Sequence, residues 1–249
     1  MVTKNEIKQV ASLRLQKFRK ELGLFVVEGR KMTEELLHSR FVVKAMYTTE
    51  ACHDYFPQAE TVTEVQMAQM SGQDTPPGIL AVVKIPDAQC FSQSSKLVLA
   101  LDGIANPGNM GTIIRTAEWF GIHDIVCSTD CVEVWNPKVI QATMGSIFRT
   151  NVMEAELTDF LMQQKQAGKA IYGALLEGEN LFEMKDCKDG VIVIGSESHG
   201  IREEVLPHIT HPITIPRVGA SQTESLNASV AAAIIMAELT RRPYRHPKT

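Results

Sequence analysis

At 249 residues, 44% hydrophobic and 22% charged, the chain has the balance of a globular protein with one large or two modest cores. No apolar run reaches the length of a membrane span and the first residues lack a signal-peptide core, so the expectation is a cytoplasmic protein that engages no membrane. The net charge of −4 excludes a uniformly basic nucleic-acid binder, yet Lys4, Lys8, Arg14, Lys17, Arg19 and Lys20 are offset only by Glu6 within residues 1–20.

In chain order, residues 2–22 read as one helix stopped by Gly23, with Ile7, Val10, Leu13 and Phe18 roughly at helical spacing. Its bases suit a solvated face or phosphate contacts, and charge alone leaves both open. Strands at 25–27, 41–47 and 79–83, with helices at 31–39 and 63–70, complete a small αβαβαβ unit. Pro76-Pro77-Gly78 makes the turn before its last strand. The polar stretch from Pro86 to Ser95 reads as a linker, giving domains of 1–92 and 93–249. Beyond it, strands near 97–102, 124–128, 147–153, 170–175, 191–195 and 212–215 alternate with helices near 111–120, 136–143, 158–167, 201–207 and 225–240. This alternation is the signature of a parallel α/β sheet.

Cysteines stand at 52, 90, 127, 131 and 187, odd in number and without a CxxC, so they read as structural thiols and no metal is expected. Three small polar segments adjoin apolar strands: Asn106 to Gly111 leading to Arg115, Gly195 to Gly200, and Gly219 to Asn227. In an open α/β sheet the loops beyond the carboxyl ends of the strands bind ligands. The glycine spacing fits neither a dinucleotide fingerprint nor a P-loop. Ser198 with Gly200 suggests a hydrolase elbow, but Ser196 replaces the first glycine and no Asp separates Ser198 from His208 or His211.

Together the segments resemble the three motifs of the SpoU/TrmH family of RNA ribose 2′-O-methyltransferases. Pro107-Gly108-Asn109-Met110-Gly111 through Arg115-Thr116-Ala117 is similar to the first, Gly195-Ser196-Glu197-Ser198-His199-Gly200 to the second, and Ile215 to Gly219 through Ser225-Leu226-Asn227 to the third. Ser12-Leu13-Arg14 and Phe25 to Gly29 resemble the family's small substrate-binding domain, itself similar to a ribosomal RNA-binding fold. The resemblance implies a trefoil-knotted α/β domain, a homodimer, S-adenosylmethionine as cofactor and RNA as partner, with no metal. Ribosomal RNA is the expected substrate ahead of tRNA, because of the extra N-terminal domain. A non-catalytic RNA-binding or ribosome-assembly factor that keeps the fold is the alternative, disfavoured by retention of the motif residues.

By the same resemblance Gly195, Ile215 and Leu226 hold the cofactor, Arg115 is the catalytic arginine, and Asn109, Glu197, Ser225 and Asn227 fill the remaining polar positions. Arg14, Lys17, Arg19 and Lys20 become RNA contacts, as does Arg149 within Gly145 to Arg149, another segment similar to one near the family's active site. An arginine resists deprotonation at neutral pH, so Arg115 acts either as an unusual base or, as we prefer, as a fork that stabilises the reacting oxygen. Ser225 suits the N-cap of the Ala-rich helix that follows, and Asn227 suits the turn before it. The chain departs from the common pattern in two places: Ala220 to Glu224 lengthen the third loop, and Arg217 stands where many relatives have an apolar residue.

Overall fold

The computed structural model describes residues 2–87, 96–184, 187–219 and 223–241. Residues 88–95 of the linker expected over Pro86 to Ser95, with Cys90, and residues 220–222 of the third segment lie outside the described residues. Contacts divide the chain into two units. The first comprises residues 1–90, 110–115 and 132–150; the second, 91–109, 116–131 and 151–249.

The first unit holds helices α1 (Lys4–Ser12), α2 (Gln16–Leu22), α3 (Arg30–Leu37) and α4 (Glu64–Met70). Its sheet, in the order β1-β4-β2-β3, is built from β1 (Leu24–Glu28), β2 (Val43–Thr48), β3 (Glu60–Thr61) and β4 (Ile79–Lys84). The β4 strand pairs antiparallel with both β1 and β2, and β3 adds a short parallel edge that periodicity did not indicate. Thr3 and Thr63 close capping boxes with Glu6 and Gln66, which fixes the starts of α1 and α4.

The single helix expected over residues 2–22 is instead two. The Ser12 hydroxyl donates to the Gln9 carbonyl, the helix ends at buried Leu13, and α2 restarts at Gln16. Arg19, only 2% exposed, satisfies the carbonyls released by this break, donating to Leu13 O at 2.7 Å and Arg14 O at 2.8 Å. Its remaining donors bind the Glu133 carboxylate. Trp135, from the same later segment, packs on Phe25 with ring centroids 4.8 Å apart, and Phe41 joins Trp135 to Phe148.

The second unit carries a six-stranded, all-parallel sheet in the order β10-β8-β9-β5-β6-β7. Its strands are β5 (Leu97–Asp102), β6 (Asp124–Cys127), β7 (Asn151–Glu154), β8 (Ala170–Asn180), β9 (Gly190–Gly195) and β10 (His211–Thr214). The central strands β5 and β9 are buried almost throughout, as continuous apolar runs require when both faces are covered. Helices α5 (Pro107–Trp119), α6 (Pro137–Thr143), α7 (Leu157–Gln166) and α8 (Ala228–Leu239) complete the chain.

Two expected elements differ. The strand placed at 147–153 starts only at Asn151, because Ser146–Phe148 close a 3-10 turn after left-handed Met144 and Gly145. The helix placed at 201–207 is a turn followed by a 3-10 turn over Leu206–His208: the Arg202 amide is committed to the Asp102 carboxylate, and Pro207 lacks the N–H that an α-helix needs.

Candidate active site

The described residues of all three polar segments lie beyond the carboxyl ends of strands of the parallel sheet. Asn106 caps α5, accepting from the Gly108 and Asn109 amides, with Pro107 at the first helical position. This cap orients the first turn so that Asn109 projects toward the loop after β9. That loop closes on itself through reciprocal Ser196 and Gly200 backbone bonds of 3.0 and 2.9 Å. A side chain at Gly195 would strike the Gly200 carbonyl and the Ile201 nitrogen. The absence of a side chain at Gly195 therefore permits the loop's own close approach.

Glu197, at the tip of this loop, accepts from the Asn109 amide. Asn227 donates to Asn109 Oδ1 at 3.1 Å and sits 3.4 Å from the same Glu197 oxygen. Its own side-chain oxygen accepts from the Ser229 amide at 3.0 Å, so Asn227, and not Ser225, caps α8. Three residues drawn from three distant segments thus form one polar cluster, half-buried at Asn109 and exposed at Glu197 and Asn227. Ser225 is exposed and stands just outside it.

Arg115 is exposed on α5 and has no side-chain partner among the described residues. Six residues after Asn109, it lies about 9 Å further along the helix and about 120° around it. Asn109 accordingly spends its amide on Glu197 and Asn227, and does not hold the guanidinium.

Several apolar side chains in and near the third segment are left uncovered. Leu226 is 44% exposed, Val218 89% and Leu176, whose carbonyl accepts from Thr214 at the end of β10, 73%. Ile215 is half-buried. A cavity of about 840 Å³ lined by Lys96, Trp119, His123, Lys188 and Arg241 opens at the opposite, amino ends of β5, β6 and β9. It is remote from the cluster and takes no part in it.

Residues 96–237 match the SpoU rRNA Methylase family, and residues 4–81 match the MRM3-like substrate binding domain. The chain belongs to the SpoU rRNA methylase family. It is 28% identical over 240 residues to the 23S rRNA (guanosine(2553)-2′-O)-methyltransferase RlmP of Bacillus subtilis, covering 94% of this chain and 95% of that one. A TrmH-family structure from Porphyromonas gingivalis superposes with a TM-score of 0.88 at 36% identity, covering 96% and 98% of the two chains. An AdoMet-bound rRNA methyltransferase from Sinorhizobium meliloti gives a TM-score of 0.84 at 25% identity, covering 96% and 95%. Within this SpoU chain, the family motifs and the polar cluster coincide.

The basic residues divide. Lys17 and Lys20 are exposed and make no ion pair among the described residues. Arg14 donates to the Gln69 and Ser71 carbonyls at the end of α4, and Arg149 pairs with Glu35. Arg19 is buried against Glu133, which removes it from the RNA-contact set: its charge belongs to the core. Sequence also missed Asp102, Ser128, Cys131 and Arg202 around the first loop. The Asp at the end of an apolar strand was the available signal for Asp102. Ser128 Oγ accepts from Gly103 N at 2.9 Å, and Cys131 Sγ from Ile104 N at 3.3 Å. The hydrogen bond from the Cys127 thiol, then those from Ser128 and Ile104, outweigh burial and pull the Cys131 thiol down to about 7, while buried Cys127 is pushed up. Among the described residues no group of acidic, His or Cys side chains is arranged to hold a metal, and no helix is long and apolar enough to cross a membrane.

Proposed function

We propose that the protein is an S-adenosylmethionine-dependent RNA ribose 2′-O-methyltransferase acting on ribosomal RNA. The observation that carries this reading is the Asn109–Glu197–Asn227 cluster, which brings one polar residue from each of the three SpoU motifs into hydrogen-bonding contact. The RlmP relative, matched along nearly its whole length, supports ribosomal RNA over tRNA. The matches at 4–81 and 96–237 support an RNA-binding domain of residues 1–92 and a methyltransferase domain of 93–249.

The residues present fit the cofactor. Uncovered Leu226 and Val218, with Ile215, offer an apolar wall for an adenine, and the Glu197 carboxylate offers negative charge to a sulfonium. Bound S-adenosylmethionine supplies an electrophilic methyl group for in-line transfer to a ribose 2′-oxygen. This chain then needs only to place that oxygen and raise its nucleophilicity. Arg115, exposed and uncommitted, binds the target phosphate and 2′-oxygen through its planar fork and stabilises developing alkoxide charge as the proton leaves to phosphate or water. Asn109, Glu197 and Asn227 keep the loops in register, and Lys17 and Lys20 draw in the RNA backbone.

The working form is a homodimer. In α8 only Ser229 and Glu238 are polar, so the helix is apolar on every side, yet this chain buries just Ala228, Ala232, Ile235, Met236 and Leu239 of it. Val230 remains 48% exposed, leaving apolar surface for a second copy. Mapping ribose methylation in total RNA from cells with and without the gene tests the function directly. Loss of one 2′-O-methyl in ribosomal RNA is the expected result; an unchanged map leaves the protein a non-catalytic RNA-binding factor.

A further inference from the structure

The carboxylate of Asp102, fully buried at the end of β5, holds the second motif against the first. Asp102 lies in register with Gly195, where β9 enters the Glu197 loop. The other stem of that loop returns to the same carboxylate: Arg202 donates its backbone N–H to Asp102 Oδ2 at 2.8 Å and its Nε to Oδ1 at 2.6 Å. Arg202 Nη1 lies 3.2 Å from Glu204 and 3.8 Å from Asp130, while its buried Nη2 has no hydrogen-bond partner among the described residues. From Asp102 the chain runs through Gly103 and Ile104, tied to Ser128 and Cys131, into the Asn106 cap and so to Asn109. One carboxylate therefore sets the origin of both segments that meet at the Asn109–Glu197 bond.

We propose that Arg202 is a positioning residue of the methyl-transfer site: by clamping Asp102 it fixes where the Glu197 carboxylate meets Asn109 and Asn227. Arg202 touches none of those three and acts through the loop alone. The inference rests on the methyltransferase reading for its kinetic consequence, but its geometric content is independent of that reading. Without the guanidinium, the Asp102 carboxylate keeps, among the described residues, only the backbone N–H, the loop's second stem loosens, and the Glu197–Asn109 distance is no longer held.

Two measurements test this on the full-length protein. In the first, selective ¹⁵N-asparagine labelling follows the Asn109 side-chain amide by NMR. Slow exchange in the wild type and fast exchange in Arg202→Met, with intermediate exchange in Arg202→Lys, is the expected result. An Asn109 amide as protected in folded Arg202→Met as in the wild type overturns the proposal. Should Arg202→Met fail to fold, Arg202→Lys, which keeps the charge but not the fork, is read in the same way.

The second measurement is single-turnover methylation of ribosomal RNA purified from cells lacking the gene. Arg202→Met should slow transfer about tenfold or more in the wild-type background and less than about twofold in Glu197→Gln, because both substitutions break the same arrangement. Equal fold-losses in the two backgrounds show a stability effect only and overturn the proposal. Absence of transfer by the wild type on any RNA fraction strikes the methyltransferase reading instead, and the Asn109 amide still decides the role of Arg202.

Discussion

Arg115 and Cys131 show how little a residue's type says about its work until its neighbours are known. Arg115 is exposed and uncommitted, so Arg115→Ala should leave the fold and cofactor affinity nearly intact while lowering single-turnover methyl transfer by about 10²-fold or more, the usual loss for one charge-stabilising donor. Arg115→Lys should recover little of that rate, since an ammonium cannot hold phosphate and 2′-oxygen together. A lysine variant at the wild-type rate, measured at saturating RNA, rules out the forked contact. Cys131 behaves in the opposite sense to a buried structural thiol. Its pKa of about 7, against an ordinary 9.0, means that thiolate accumulates as pH rises through neutrality. Iodoacetamide labelling of Cys131, followed by peptide mass spectrometry, should accelerate across pH 6 to 8, roughly two units below an ordinary thiol. Cys127, 2% exposed and shifted upward, should stay unmodified throughout.

At the scale of elements, the second unit was legible because its strands are short apolar runs separated by helical spacing, and the central strands β5 and β9 fall where those runs stand. The three motif segments announced the cluster for the same reason: each begins at the carboxyl end of one of these strands or just after β10. What could not be read depends on partners far along the chain. The break at Leu13 needs Arg19 to satisfy two carbonyls, and Arg19 in turn needs Glu133, 114 residues away. The turn at 201–207 needs Asp102, 100 residues away. Periodicity carries no information about either. Arg19→Met should therefore destabilise the protein by about 3–5 kcal/mol, the cost of stranding a buried carboxylate, seen as a lower denaturation midpoint. Gly111 makes a comparable demand on space. A methyl group there would stand 2.8 Å from the Val139 carbonyl oxygen and overlap Ala142, so Gly111→Ala should force α5 and α6 apart and lower the melting temperature by several degrees.

For the whole molecule, RNA capture and assembly give two measurable outcomes. Reversing charge at Lys17 and Lys20 alone, sparing buried Arg19, should weaken RNA binding and flatten its dependence on salt, because fewer counterions are released. An unchanged salt slope in filter binding returns this face to ordinary solvation. Light scattering should report twice the monomer mass, and a Val230→Glu substitution on the uncovered side of α8 should shift that toward one. The first unit carries a further consequence through its gap in sequence: residues 132–150 belong with the N-terminal segment, supplying Glu133 to Arg19 and Trp135 to Phe25. During synthesis, then, the N-terminal sheet leaves the ribosome with a buried arginine still uncompensated and an aromatic face still bare, and it stays so until residue 150 has emerged. A chain arrested anywhere between the two is the form in which this protein should depend most on chaperones.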